Sequence, residues 1–338
     1  MSKKITNQDQ NLFAEIKDMI EKARSAVNQT VNAGLTLMYW NIGNRIKQEI
    51  LKQERAEYGK QIISSLSKDL VVQFGRSFEL RNLRRMVQFS EQFHDLKIVS
   101  TLSTQLSWSH FVELLPIKEE EKRYFYAKKI AEGLWSVRYT RKQIEQKVYE
   151  RTTIANEQLP QAIDDTVNTF KDPYFLDFLG LKDGYLEEDL EQAILKEIEL
   201  FILELGTGFT FVERQKRMII DGKDFNLDLL FYHRDLQRLV AIDLKLGSFK
   251  AGYKGQMELY LKWLEKYDKK PNEKYPIGLI LCAEASREQI ELLEMHKDGI
   301  MVAEYWTELP PKKLLEEKIH NALIEAKERL AIKKRKLD

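Results

Sequence analysis

Cysteine and long apolar runs are scarce in this chain of 338 residues. The single cysteine, Cys282, excludes a disulfide framework and a cysteine-rich zinc site, and one thiol in a chain of this length is typical of a reducing cytoplasm. No apolar run approaches the ~20 residues of a membrane helix. The polar N-terminus also lacks the apolar segment of a signal peptide. We therefore expect a cytoplasmic protein that has no contact with membranes.

An excess of charge of one sign is also missing, because 54 Lys and Arg residues are balanced by 53 Asp and Glu residues. The net charge of +1 excludes a global field that attracts nucleic acid, so any such attraction has to come from local patches. Gly247 and Gly252 have the spacing of glycines in a phosphate loop, but Tyr253 stands where that loop requires lysine. We therefore expect no nucleotide cofactor.

The hydrophobic pattern divides the chain into parts. From 11 to about 150, apolar residues recur at helical spacing, and the polar stretch 151–171 then ends at Asp172-Pro173. After Gly206-Thr207-Gly208 the apolar period changes from about 3.6 to 2. We predict an all-α N-terminal domain at 11–165, an α/β domain with a mixed central sheet at 172–310, and a C-terminal helix with a basic tail at 311–338.

The α/β domain is predicted to follow the order helix, three strands, helix, strand, helix, strand. The predicted bounds are 187–205 for the first helix, 209–220, 226–232 and 238–246 for the three strands, 253–267 for the next helix, 277–282 for a strand, 286–295 for a helix and 300–305 for the last strand.

Two aspartates lie symmetrically about the turn Arg234-Asp235-Leu236-Gln237 that joins the second and third strands. If this hairpin closes symmetrically, Asp228 and Asp243 face each other with their Cβ atoms about 4.5–5.5 Å apart. Residues i and i+2 share a face of a strand, so Lys245 is expected beside Asp243. One surface then carries two carboxylates and an ammonium.

Two adjacent carboxylates repel each other and need a compensating charge. Lys245 supplies one positive charge and a divalent cation such as Mg²⁺ supplies two, and a metal ion beside carboxylates is suited to phosphodiester cleavage. We expect Lys245 to stay charged and to stabilise the developing phosphoryl charge or orient the water. An Asp-x-Lys in a strand is usually part of a solvated face, but both aspartates here interrupt apolar strands, which favours a functional role.

These residues and their order resemble the PD-(D/E)XK nuclease superfamily, and more closely the bacterial YhcG family, whose members carry such a nuclease domain. The phrases that carry the likeness are Asp177-Phe178-Leu179-Gly180-Leu181, Leu227-Asp228-Leu229-Leu230-Phe231-Tyr232-His233, Gly255-Gln256-Met257 and Pro276-Ile277-Gly278-Leu279-Ile280-Leu281-Cys282, and, towards the N-terminus, Tyr39-Trp40-Asn41-Ile42-Gly43, Trp108-Ser109-His110 and Gly133-Leu134-Trp135-Ser136.

The resemblance implies a restriction endonuclease-like fold. It places the superfamily's metal-binding aspartate on Asp228 and its Asp/Glu-x-Lys motif on Asp243 and Lys245, where relatives more often have Glu-x-Lys. Glu191 is our choice for the acid of the first helix and a third metal ligand, with Glu204 as the alternative. Leu227 stands where the proline of the superfamily name would be.

The following helix carries Gln256 and Tyr260, which lie four residues apart and share a face. This pair is similar to a Gln-x-x-x-Tyr that supports the site and contacts DNA in RecB-like nucleases. The alternative is that Tyr260 lies in the core and Gln256 is solvated. Lys250 and Lys254, at the start of the same helix, are candidates for contacting phosphates.

Four arginines, Arg76, Arg81, Arg84 and Arg85, cluster around a helix that we expect to start at the N-cap Ser77. A short helix with arginines on its exposed face is typical of a helix-turn-helix recognition element, and the alternative is a solvated basic face.

The expected function is therefore that of an endodeoxyribonuclease that depends on Mg²⁺ or Mn²⁺. The alternative is a catalytically silent DNA-binding or assembly protein that uses the nuclease fold for binding. An RNA substrate and a homodimer are left open.

Overall fold

The computed structural model describes residues 7–51, 56–158, 169–181 and 184–337. By its internal contacts the chain divides after Gln146 into two compact units. The side chains of the basic segment Lys333-Lys334-Arg335-Lys336 lie outside the described residues.

The first unit is helical, as predicted. Its helices are α1 Asn7–Leu51, α2 Ala56–Phe74, α3 Leu80–Gln92, α4 Leu96–Ser103, α5 Trp108–Leu114, α6 Glu120–Gly133 and α7 Val137–Glu145. Leu83 and Met86 of α3 are fully buried against Ile46 of α1. Gly43 makes this approach possible, because a Cβ atom there would meet the Met86 carbonyl oxygen at 1.8 Å.

The predicted helix start at Ser77 is wrong. Gly75, with φ at 86°, does end α2, but Arg76–Phe78 then forms one turn of 3-10 helix. Helix α3 begins at Leu80, and its N-cap is Glu79, which makes no side-chain cap hydrogen bond. Tertiary packing of the apolar face of α3 therefore sets its start, rather than the capping preference of serine.

The second unit contains both helices and strands. Its elements are α8 Val148–Asn156, β1 Tyr174–Phe175, α9 Glu187–Lys196, α10 Ile198–Leu205, β2 Phe209–Ile220, β3 Lys223–His233, β4 Arg238–Ser248, α11 Gly252–Tyr267, β5 Ile277–Glu284, α12 Arg287–Leu292, β6 Ile300–Trp306 and α13 Lys312–Leu337. The short strand β1 was not predicted, and the single helix predicted at 187–205 is broken at Glu197, whose φ and ψ are −108° and 33°. Across the described residues, no helix combines the length and apolarity needed to cross a membrane.

Helix α8 belongs to the second unit, although the N-terminal domain was expected to extend to residue 165. It packs against α13. Gln158, which follows α8, and Asp172, which precedes β1, cover the part of the β6 edge that the short β1 leaves unpaired. The backbone N–H groups of Val302 and Glu304 donate to Gln158 Oε1 and Asp172 Oδ1, each at 3.1 Å. These side chains satisfy strand groups that an exposed sheet edge would leave unpaired.

The six strands form one mixed sheet in the order β1-β6-β5-β4-β3-β2. Strands β2, β3 and β4 are antiparallel neighbours, whereas β4, β5, β6 and β1 are parallel. Leu229 and Ile242 pack on one face of the sheet with α9 and α10, and Leu230 and Ala241 pack on the other with α11. The fold is thus the predicted α/β arrangement, with helices on both faces of the sheet.

Candidate functional site

The candidate site lies where β3 and β4 separate. The ladder between them begins at His233–Arg238 and ends at the pair Leu229–Ile242, so Asp228 and Asp243 stand one position beyond the last pair. Beyond this pair a side chain replaces the backbone as acceptor, since Asp228 Oδ2 accepts a hydrogen bond from the Leu244 N–H at 2.7 Å. The register predicted from the symmetric hairpin is therefore the one found, and the carboxylate of Asp228 is fixed between the strands.

Asp243 is buried with only 2% of its side chain exposed, and the Lys245 Nζ atom lies 2.9 Å from its Oδ2. The contact misses strict hydrogen-bond angles, but its short distance and opposite charges give this oxygen a partner in Lys245. The Lys245 ammonium also lies 5.4 Å from the centre of the Tyr253 ring. Among the described residues, Asp243 is therefore a buried carboxyl group with a single cationic partner.

The pKa values in the site reflect this environment. Burial raises the pKa of Asp243 to about 7, and the charge of Asp228 adds to the shift while Lys245 opposes it. Burial also raises the pKa of Asp228, although the Leu244 N–H opposes the change. For Lys245 burial lowers the pKa, but the charges of Asp243, Asp228 and Glu187 outweigh burial and raise it overall, as expected. The raised pKa values of the two carboxyl groups show that the single charge of Lys245 does not offset their burial, so a further cation would stabilise their ionised forms.

Glu191 of α9 is brought to Asp228 through a glutamine. Gln215 of β2 donates from its Nε2 to Glu191 Oε2 at 2.6 Å and to Asp228 Oδ1 at 3.2 Å. The two acids therefore share one amide group, although they come from different elements of the fold.

Glu204 lies in a different environment. It is 6% exposed, and its carboxylate pairs with Arg151 and with Lys171, whose Nζ lies 3.6 Å away. It also accepts a hydrogen bond from the Phe175 N–H at 2.9 Å. Burial raises the pKa of Glu204, but the two cations outweigh burial and lower it overall. This carboxylate holds α10 to α8 and β1, which favours Glu191 as the acid of the first helix.

Sequence reasoning missed two polar residues at the site. Glu187, at the start of α9, accepts a hydrogen bond from the Leu246 N–H at 3.1 Å, and its charge acts on both aspartates and on Lys245. It precedes Glu191 by one helical turn, so helical spacing could have indicated it. Gln215 had no such signal, because it stands within the run Glu213-Arg214-Gln215-Lys216-Arg217, where charged residues fill both faces of the strand.

Gln256 and Tyr260 share a face of α11, as expected. Tyr260 is 1% exposed and lies in the core, so this part of the alternative is correct. Gln256, however, donates from its Nε2 to Tyr260 Oη at 2.6 Å, and Tyr260 Oη donates to the Asn226 carbonyl at 3.0 Å. This chain of hydrogen bonds ties α11 to β3 two residues before Asp228.

The two lysines proposed for phosphate contact differ. Lys250 is exposed before α11. Lys254 pairs with Asp298 at 2.8 Å and with Glu258 at 3.3 Å, and it donates to the Leu293 carbonyl at 3.0 Å. Since Lys254 is already engaged by acids of its own unit, it is a poor candidate, and Lys250 is the better one.

In the first unit, Arg76, Arg81 and Arg84 are exposed. Arg85 is half-buried and donates to Asn82 Oδ1 at 3.4 Å. The buried residues of α3 lie on the opposite side, so the arginines form an outward basic face, as predicted.

The site residues fit a divalent ion. Nowhere in the described part of the chain do three or more His, Cys, Asp or Glu side chains come together as a metal-binding group, so the three predicted ligands are not preassembled as one cluster. Mg²⁺ commonly binds one or two protein carboxylates and keeps several waters. Asp228 and Asp243 provide two carboxylates, and among the described residues the buried Asp243 has Lys245 as its one cationic partner.

A helix, three antiparallel strands bearing Asp and then Asp-x-Lys, and a following helix together define a nuclease domain of the PD-(D/E)XK type. Residues 167–322 match the family described as the YhcG PDDEXK nuclease domain, and residues 15–151 match the DUF1016 N-terminal domain. A relative from Escherichia coli (strain K12), "Putative nuclease YhcG", is 35% identical, and the match covers 92% of this chain and 93% of the relative. The chain belongs to the YhcG family, which confirms the resemblance drawn from its sequence.

Solved structures give weaker likenesses. A repair endonuclease from Pyrococcus abyssi is 23% identical, with a TM-score of 0.26 over 38% of this chain and 50% of that protein. The structure of EndoMS in apo form is 19% identical, with a TM-score of 0.26 over 38% of this chain and 49% of that protein. The chain thus spans about half of these proteins, and such low scores add nothing to the family assignment.

Substitution of the two candidate helix acids should separate their roles. Glu204→Gln leaves Arg151 and Lys171 buried without a full counter-charge, so we expect a loss of roughly 3 kcal/mol in the free energy of unfolding. Glu191→Gln changes a half-exposed side chain and should alter stability by no more than about 0.5 kcal/mol. Urea denaturation of both variants measures this, and equal stability of the two would contradict the assignment.

The raised pKa of Asp243 predicts a pH-dependent stability. A carboxyl group whose pKa is higher in the folded than in the unfolded protein binds the extra proton when folded, so its contribution is present at low pH and lost as the pH rises through about 7. Between about pH 5 and 8 the metal-free protein should lose on the order of 2 to 4 kcal/mol of stability relative to Asp243→Asn. Denaturation of both proteins across this range tests the prediction, and parallel pH profiles would refute it.

Proposed function

We propose that this protein hydrolyses phosphodiester bonds in DNA with the help of Mg²⁺ or Mn²⁺. The observation that carries the proposal is the buried Asp243 carboxylate, which pairs with Lys245 at 2.9 Å while the nearby charge of Asp228 opposes its ionisation. Burying two carboxylates and one ammonium within a sheet destabilises the folded protein. Charged groups of this kind are common at catalytic sites, and the chain belongs to a nuclease family.

Asp228 and Asp243 would hold the metal, with Glu191 as an outer or additional ligand. The bound ion would polarise the phosphate and lower the pKa of a coordinated water. The Leu244 N–H fixes one oxygen of Asp228, so this carboxylate is oriented before any ion arrives. A ligand oriented in advance loses less conformational entropy on binding.

Lys245 serves as a charge stabiliser in this proposal. Its raised pKa keeps the ammonium protonated at neutral pH, which makes it a poor general base and a suitable partner for negative charge developing on the phosphoryl group. Gln256 and Tyr260 support β3 beneath the site through Asn226. Lys250, exposed near the end of β4, is the candidate for contact with the phosphate backbone of the substrate.

A cleavage assay tests the proposal. The full chain is incubated with linear, circular and single-stranded DNA and with RNA, each with MgCl₂, MnCl₂ or EDTA. We expect metal-dependent cleavage of DNA that falls about 100-fold or more in Asp228→Asn and Lys245→Met, because each variant removes a charge from the site. Asp224→Asn is the matched control, since Asp224 is an exposed acid of the same strand that pairs with Arg217.

Several outcomes would contradict the proposal. Cleavage that persists in EDTA or in both site variants would remove the metal site from the reaction. Cleavage of RNA alone would reassign the substrate. DNA binding without cleavage, at an affinity that metal does not change, would favour the silent binding protein instead.

We propose that Arg76, Arg81, Arg84 and Arg85 of the first unit contribute to DNA binding, with the exposed Arg81 and Arg84 contacting phosphates most directly. Substituting both by alanine should reduce the slope of log K against log salt by about 2, because each phosphate contact releases about one counterion. Fluorescence anisotropy with a labelled duplex measures the slope. Arg138→Ala, which removes an exposed arginine from α7, is the control. An unchanged slope in the double variant would mean that the basic face is merely solvated.

A further inference from the structure

Gln215 has an unusual backbone conformation. Its φ is 44°, in the left-handed region that residues other than glycine seldom adopt. The ladder between β2 and β3 pairs Arg214 with Leu229 and Lys216 with Leu227, and the two residues between these pairs, Gln215 and Asp228, are not themselves paired. The ladder is thus interrupted at Gln215, directly beside the site.

The irregularity sends the Gln215 side chain towards the acids. A side-chain amide carries two N–H hydrogens, so one nitrogen can donate to two acceptors. Nε2 of Gln215 uses both, at 2.6 Å to Glu191 Oε2 and 3.2 Å to Asp228 Oδ1. This amide of β2 thereby links Glu191 of α9 to Asp228 of β3.

The chemistry of an amide suits this position. Glu191 and Asp228 carry like charges, and each raises the free energy of ionising the other. A lysine or arginine here would hold the acids together, but it would also neutralise them and compete with a divalent ion. Glutamine is neutral, so it orients both carboxylates and leaves their full charge available.

We propose that Gln215 is a positioning residue that sets the spacing of Glu191 and Asp228 and thereby the affinity of the site for a divalent ion. The inference rests on the proposed function, because it assigns Gln215 to the same metal site. Gln215 touches neither the substrate nor the reacting atoms in this proposal, and it acts through the carboxylates that it holds. The strained backbone at φ 44° is what directs the amide to them.

Substitutions can separate the backbone from the side chain. Glycine adopts a positive φ without strain, so Gln215→Gly keeps or improves the fold while removing the amide. Asparagine also tolerates the left-handed region, and Gln215→Asn keeps an amide that is one methylene shorter and cannot span both acids. Gln192→Ala is the matched control, because Gln192 of α9 donates to Glu188 at 3.2 Å, outside the site.

The experiment is a calorimetric titration of the full metal-free chain with MnCl₂, accompanied by thermal melting of each variant. We expect Gln215→Gly and Gln215→Asn to bind Mn²⁺ about 10- to 100-fold more weakly than the unsubstituted protein, as is usual when a group that orients a metal ligand is lost. Their melting temperatures should equal or exceed that of the unsubstituted protein. Gln192→Ala should bind Mn²⁺ normally.

Asp243→Ala distinguishes failure of this inference from failure of the proposed function. If the unsubstituted protein binds Mn²⁺, Asp243→Ala abolishes binding and both Gln215 variants bind normally, the inference is wrong and the metal site stands. If Mn²⁺ binding is absent, or is the same in Asp243→Ala, both ideas fail. If both Gln215 variants melt at lower temperature, Gln215 serves the fold and the inference is overturned.

Discussion

The separation of β3 from β4 beyond the pair Leu229–Ile242 is the constraint on which the site depends. Where the ladder ends, backbone groups need new partners, and the Asp228 carboxylate supplies one by accepting from the Leu244 N–H. This contact orients the Asp228 carboxylate one position beyond the last paired residues, on the same stretch of strand as Asp243 and Lys245. The position of Asp228 in the site therefore depends on where the regular hairpin ends.

Two buried acids of the second unit, Glu204 and Asp243, differ in their charged partners and in the direction of their pKa shifts. Glu204 has two cationic partners and a backbone donor, and its pKa is lowered although burial alone would raise it. Asp243 has one cationic partner among the described residues and the like charge of Asp228 nearby, and burial raises its pKa to about 7. The partners of Glu204 balance its charge, and the contacts hold helices to the sheet. The partners of Asp243 do not fully offset its burial, and buried acids of this kind are common where a protein binds an ion or catalyses a reaction.

The strand part of the fold could be predicted from the sequence because its physical basis is local. Alternation of apolar residues defines β2, β3 and β4, and the symmetric position of the turn at 234–237 fixes the register that brings Asp228 opposite Asp243. The two-residue β1 could not be predicted, because it is held by the distant strand β6. The start of α3 at Leu80 was missed because the buried face of the helix, and not the capping preference of Ser77, sets it.

The site was predicted where strand periodicity applies and missed where it does not. Asp243 and Lys245 follow from their i and i+2 spacing, and Glu187 could have followed from helical spacing. Gln215 could not, because its role depends on a left-handed backbone at an interruption of the ladder between β2 and β3, which the residue type does not reveal. The ion pair of Lys254 with Asp298 could not be foreseen, because Asp298 comes from a distant part of the chain.

The central claim is that Asp228 and Asp243 hold a divalent ion beside Lys245. A crystal structure of the protein grown with MnCl₂, with anomalous scattering recorded to locate manganese, tests it most directly. The account predicts an anomalous peak bound by carboxylate oxygens of Asp228 and Asp243. Manganese bound elsewhere, with these two carboxylates still contacting only Lys245, Leu244 and Gln215, would contradict it.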